Sequence, residues 1–148
     1  QISKSGNINK HLLKELNEIS YYHLTHPKSL GLEWVENKIF PLIDSYKIST
    51  KDILRTYVEH IAVQISNNLK GDNLKILISG GGSKNKFLME RIKQLSKKSL
   101  EIISENITDY KEALIFGFLG VLRIRKENNC LKSVTGADKD HSSGVIFE

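Results

Sequence analysis

The chain has 148 residues, 39% of them hydrophobic and 26% charged, which is the make-up of a folded globular domain and excludes a disordered one. No apolar run approaches the ~20 residues of a membrane-spanning helix, and no basic stretch with an apolar signal core opens the chain, so no membrane partner is expected. The formal net charge of +5 comes from scattered lysines, dense only at Lys97-Lys98 and Arg123–Lys126 and without interleaved aromatics, which points to a solvated basic face or an anionic small molecule and away from nucleic acid.

The chain opens on Gln1 rather than methionine, so it is expected to be the C-terminal part of something longer. Residues 7–19 place Ile8, Leu12, Leu16 and Ile19 on one stripe, with Asn7 or Asn9 as N-cap, and predict an amphipathic helix. HPKSLGLEW breaks that pattern at Pro27 and Gly31. A short helical stretch toward Phe40 follows, and Pro41 to Lys47 reads as a connector. Ser49-Thr50-Lys51-Asp52 then resembles a capping box with Asp in place of Glu. Ile53, Tyr57, Ile61 and Ile65 recur behind it, widened by Leu54, Val58 and Ala62, and predict a long helix over 50–69 that ends in the turn Lys70–Asn73.

LKILIS (74–79) is a nearly unbroken apolar run, as expected of a strand buried on both faces of a parallel sheet. A helix over 87–97 follows, with Leu88, Ile92 and Leu95 facing inward, and then a second strand, LEIIS (100–104). The three make a βαβ unit with parallel strands. Residues 111–126, KEALIFGFLGVLRIRK, are apolar nearly all round and predict a buried helix on which Gly117 and Gly120 would let another backbone come close. The tail from Glu127 reads as loop. The fold class is therefore α/β, with a βαβ unit and several packed helices.

Three of the ten glycines, Gly80, Gly81 and Gly82, stand at the junction between the first strand and its helix, with Ser83 or Asn85 as cap. Bare backbone at such a junction suits an anionic or planar ligand lying on the peptide groups. A tight turn with the helix packed close on the sheet would explain the glycines equally well, and spacing alone does not choose. A P-loop is excluded, because Ser83-Lys84-Asn85 follows the run where Gly-Lys-Ser/Thr would be needed. A dinucleotide fingerprint keeps only its first half, Gly80 and Gly82, since position 85 is Asn. Glu101 or Glu105 would then be its ribose-binding acid, which leaves a dinucleotide- or other nucleotide-binding domain as the runner-up. The five histidines lack metal-ligand spacing, His60 reads as a surface or boundary residue, and the lone cysteine, Cys130, excludes a disulfide framework and suits a reducing cytosol.

GGGSKNKFLMERI (80–92), YKEALIFGFLGVLRIR (110–125) and SVTGADKDHSSGVIFE (133–148) together resemble the C-terminal part of the anhydro-N-acetylmuramic acid kinases. HPKSLGLEW is similar to that family's Pro-Lys-Ser-Thr-Gly-Arg-Glu segment, and STKDILRTYVEHIA to its long helix. The resemblance runs in order over essentially the whole chain. It implies a C-terminal lobe, over 1–148, of an actin-like (ribonuclease H-like) ATPase fold in which two lobes close over nucleotide and sugar. The implied activity uses ATP, with Mg2+, and water to open the anhydro ring of anhydro-N-acetylmuramic acid and phosphorylate O6, in cytoplasmic peptidoglycan recycling. Gly80, Gly81, Gly82 and Asn85 would then hold the nucleoside and α-phosphate.

Glu112 would touch the sugar by the same resemblance; on the residues alone it could equally be an acid at a helix N-terminus. Lys28 and Ser29 match the substrate segment, although Leu30 and Leu32 replace its Thr and Arg. Thr135-Gly136 matches a turn to which the resemblance gives no role. The family's first-lobe phosphate loop has no counterpart here, and none of Asp44, Asp52, Asp72 and Asp109 matches the context of its catalytic aspartate. The missing N-terminal lobe is thus an expected partner, with a second copy in a homodimer as another, and the chain alone is expected to be folded and inactive.

Overall fold

Asn9 sets the first helix: its side chain accepts the Leu12 N–H at 3.0 Å and starts α1, Lys10–Asn17. The computed structural model describes residues 2–25, 28–71 and 75–147, and it divides into two compact units, Gln1–Ile102 and Ile103–Glu148. Asp72, Asn73 and Leu74, parts of the expected turn and first strand, lie outside the described residues, as does Pro27.

Pro41 does not begin a connector. Helix continues through it, from α2 (Leu32–Trp34) by a π-turn (Val35–Ile39) into α3 (Phe40–Asp44). Proline falls in the first turn of α3, where a missing N–H costs little, and the wide turn before it closes through Phe40 N–H to Val35 O. A 3-10 turn, Ser20–His23, precedes this stretch.

The long helix is α4, Thr50–Asn68. Ser49 caps it by accepting the Asp52 N–H, and its hydroxyl donates to the Asp52 carboxylate at 2.7 Å. Asp is too short to complete the box on the Ser49 backbone; it accepts instead the N–H of Asn7 at 2.7 Å. The expected single apolar stripe is corrected, because α4 is packed on two sides. Leu12, Leu16 and Ile39 form one apolar cluster, which Tyr57 joins, and Val58, Ala62, Leu88, Met89 and Ile92 form another. Ile65 and Leu54 are exposed.

Between the two clusters runs a buried polar seam of Thr56, Glu59 and His60. Thr56 Oγ1 donates to Asp52 O and accepts the Asn9 N–H. His60 is not a boundary residue: it is 2% exposed. Its Nδ1 lies 2.7 Å from Asn17 Oδ1, which also accepts from Gln64 Nε2, and its Nε2 lies 3.0 Å from the Tyr22 hydroxyl. An acceptor facing Nδ1 places the proton there, so the neutral ring suits both partners. Burial pushes the imidazole down to about 4, from an ordinary 6.5.

That shift has a sign. Below pH 6.5 the unfolded chain takes up a proton that the folded chain refuses, so stability falls as pH is lowered from 6.5 toward 4. The loss should reach roughly 2–3 kcal/mol. Urea melts across that range should show the decline in the wild type and a flattened profile in His60→Gln; an equal slope in both would sink the assignment.

The sheet is small. β1 (Ile76–Ile78) pairs in parallel with β2 (Leu100–Ile102), Ile76 opposite Leu100 and Ile78 opposite Ile102. With α5 (Lys86–Ser96) between them, the expected strand–helix–strand unit is present. The strands are not buried on both faces, since Leu77 is 63% exposed; α5 and α4 cover Ile78 and Leu100, and among the described residues of this unit no layer covers the other face. On α5 the inward residues are Leu88, Met89 and Ile92, whereas Leu95 is 38% exposed, because Met89 lies one residue from Leu88 on the side that meets α4.

The second unit holds α6, Glu105–Ile124, which starts earlier than expected and contains no buried residue. Leu114 is 66% and Phe116 71% exposed. An all-round apolar helix buries itself only with partners on every side. This unit offers one: Asn129 donates to Leu119 O and Arg123 to Ser142 Oγ. A Cβ at Gly117 or Gly120 would meet nothing within 4 Å, so no described backbone comes close there. The tail is more ordered than loop. α7 (Lys132–Thr135) ends at Gly136, whose φ of +73 favours glycine, and Cys130 and His141 pair as an antiparallel bridge.

Candidate functional site

The glycines are three residues with different requirements. β1 runs through Ser79 into Gly80, at φ +91 and ψ 169, a region essentially closed to side chains. Gly81–Lys84 then make one 3-10 turn, and Asn85 caps α5 by accepting the Leu88 N–H at 3.1 Å. Of the three, only Gly80 has a positive φ. A Cβ built at Gly81 or Gly82 would meet nothing within 4 Å, so neither is required by its conformation or by its neighbours. Packing of the helix close on the sheet therefore does not explain them.

Ser83, expected only as an alternative helix cap, has another role, since Asn85 is the cap. It is 8% exposed, and both its hydroxyl and its N–H bind the Gly80 carbonyl, at 2.7 and 3.0 Å. A serine three residues after a glycine that needs positive φ was the available signal, since short hydroxyl side chains bond back to the i−3 carbonyl. Beneath the turn is a cavity of about 190 Å³ walled by Ile76, Ile78, Gly82, Ser83, Leu88 and Met89. At the far end of the turn a wider groove of about 540 Å³ brings Lys4, Lys84, Asn85 and Lys86 together with Phe87 and Glu90.

The other expected site residues lie elsewhere. Lys28 is engaged locally: its ammonium donates to the carbonyls of Tyr21 and Tyr22, at 3.3 and 3.4 Å, and sits 5.1 Å from the Tyr21 ring centre. Ser29 is exposed. Glu112 lies in the third turn of α6 rather than opening a helix, so it does not complement a helix N-terminus; it too is exposed. Among the described residues no group of three or more His, Cys, Asp or Glu side chains could hold a metal, and none of the helices could cross a membrane.

A family model described as anhydro-N-acetylmuramic acid kinase matches residues 1–148. Among curated relatives, an anhydro-N-acetylmuramic acid kinase of Sulfurovum sp. (strain NBC37-1) is 34% identical over 98% of this chain and 41% of its own length. One of Mannheimia succiniciproducens is also 34% identical, over 98% of this chain and 43% of its length. A third, from Actinobacillus pleuropneumoniae serotype 7, is 32% identical over 98% and 42%. The chain thus spans 41–43% of the length of these relatives. A match over every residue leaves no room for an unrelated dinucleotide-binding domain, and the chain belongs to the anhydro-N-acetylmuramic acid kinase family.

Proposed function

We propose that this chain supplies the nucleoside side of the ATP site in a kinase that opens the ring of 1,6-anhydro-N-acetylmuramic acid with water and phosphorylates O6, in cytoplasmic peptidoglycan recycling. One observation carries the reading: Gly81 and Gly82 stand bare, with neither a positive φ nor a close neighbour to require glycine. Such backbone is explained by something outside the chain that must lie against it. A nucleoside with its α-phosphate fits, because peptide N–H groups and a flat, side-chain-free surface suit both parts. Family membership supports the same assignment.

Phosphoryl transfer is mostly positioning and charge stabilisation. In this reading Gly80, Gly81, Gly82 and Asn85 hold the nucleoside end, and the sugar contacts implied by the family resemblance are Lys28 and Ser29 in the first unit and Glu112 in the second, each taken by itself. An N-terminal lobe supplies the phosphate loop, the base that activates water and the metal. The chain alone therefore binds ATP weakly, on the order of millimolar or weaker, and does not turn over.

Gly81→Val is the test, since a Cβ at this position meets nothing within 4 Å in the chain. The variant should melt like the wild type and need about tenfold more ATP for half-saturation, followed by NMR or calorimetry. Equal ATP affinities in the two folded proteins would remove the nucleoside from this turn.

A further inference from the structure

We infer that Ser83 is a positioning residue for the nucleotide: by latching the Gly80 carbonyl it fixes the path of the backbone through Gly81 and Gly82. The inference rests on the nucleotide reading above. Three consecutive glycines form the most mobile kind of segment a chain can contain, and each loses much freedom on becoming ordered. Nothing within 4 Å of the Cβ positions of Gly80, Gly81 or Gly82 braces them from the side. The turn is held at its two ends instead. Asn85 caps α5 at one, and at the other the Gly80 carbonyl accepts both the Ser83 hydroxyl, at 2.7 Å, and the Ser83 N–H, at 3.0 Å.

The N–H bond belongs to any 3-10 turn and would survive a change of side chain. The hydroxyl bond is particular to serine. Ser83 is 8% exposed and its hydroxyl proton is already committed to Gly80, so it acts on a ligand through the turn rather than by donating to it. A ligand lying on peptide groups is sensitive to their placement, because the ordering that the protein has already completed need not be repeated on binding. Ser83 does that ordering.

The test is an ATP titration of the 15N-labelled 148-residue chain, followed at the amides of Gly80, Gly81 and Gly82. In the wild type the Gly81 and Gly82 signals should move with ATP. Ser83→Ala should displace all three glycine signals before any ATP is added, leave the melting temperature within a few degrees, and raise the half-saturating ATP concentration about fivefold. Ser83→Thr, whose extra methyl can enter the cavity beneath the turn, should restore both signals and affinity. Should Ser83→Ala fail to fold, Ser83→Cys, of similar volume but a weaker donor, should still bind more weakly than wild type. Wild-type affinity in the alanine or cysteine variant would overturn the positioning role while leaving the nucleotide reading intact. A wild type whose glycine signals ignore ATP would overturn both.

Discussion

Glu59→Gln should destabilise the chain by about 3–5 kcal/mol, the cost of breaking a buried ion pair on one side. Glu59 is 5% exposed and faces two guanidiniums. Arg91 grips it bidentately, Nε to Oε2 and Nη2 to Oε1, both at 2.7 Å, and Arg55 reaches Oε2 at 2.8 Å from one turn earlier on α4. Glutamine keeps the shape but removes the charge, so one amide oxygen and an unsuited NH2 would meet two cations already out of water. Burial raises the Glu59 carboxyl pKa, but hydrogen bonds and charge from Arg91 and Arg55 outweigh it and hold the group below its ordinary range. Its contribution is therefore complete above the ordinary carboxylate range and disappears as pH falls through its own lowered titration. Denaturant melts at neutral pH give the test. A loss below about 1 kcal/mol would mean that the three charges behave as a solvated surface pair.

Gly6→Ala should also destabilise the chain, by about 1–3 kcal/mol, through overpacking against backbone. A Cβ there would stand 2.1 Å from Lys51 O and 2.5 Å from Lys51 C, in the first turn of α4. Peptide atoms cannot rotate away as a long side chain can, so the segment before α1 would have to lift. Two bonds go with it: Asn7 N–H to Asp52 Oδ1 at 2.7 Å, and Asn9 N–H to Thr56 Oγ1 at 2.9 Å. The Asn7 bond is the largest cause of the lowered Asp52 pKa, so in Gly6→Ala the Asp52 carboxyl should titrate nearer its ordinary value. Melting and an NMR titration of Asp52 check both effects. An unchanged Asp52 in a folded, fully stable variant would show that the contact gives way at no cost.

Local chemistry was legible in the sequence where one residue decides the outcome. Asn9 and Ser49 cap their helices, and apolar runs on either side of a helix gave the parallel pair. What depends on the number of neighbours was not legible. The pattern on α4 suggested one inward face because two apolar clusters on either side of a polar seam produce the same letters as one broad stripe. His60 looked peripheral because its partners, Asn17 and Tyr22, are 43 and 38 residues away. Pro41 looked like an end because the π-turn that admits it leaves no mark in composition. The opposite error befell α6, whose apolar residues predict burial but cannot say what supplies it. At the site, the glycine cluster was visible at once, whereas the separate requirements of Gly80 and Gly81 needed dihedral angles.

The polar seam on α4 also works as a rotational key. Apolar contacts are tolerant of direction: Val58 and Ala62 would find hydrophobic company at many angles about the helix axis. Thr56, Glu59 and His60 would not, because each is matched to its own partner, Thr56 to Asn9 at the start of α1, His60 to Asn17 at its end and Glu59 to Arg91 on α5. A slip of one residue turns an α-helix by about 100°. In one sense it would carry the Glu59 carboxylate to the side of Val58 and in the other to the place of His60, and either way Arg91 would lose its carboxylate. With three polar matches spread over little more than one turn, α4 has a single azimuth at which none is orphaned. That azimuth fixes the positions of α1 and α5 about it, and through α5 the point at which the glycine turn meets its helix.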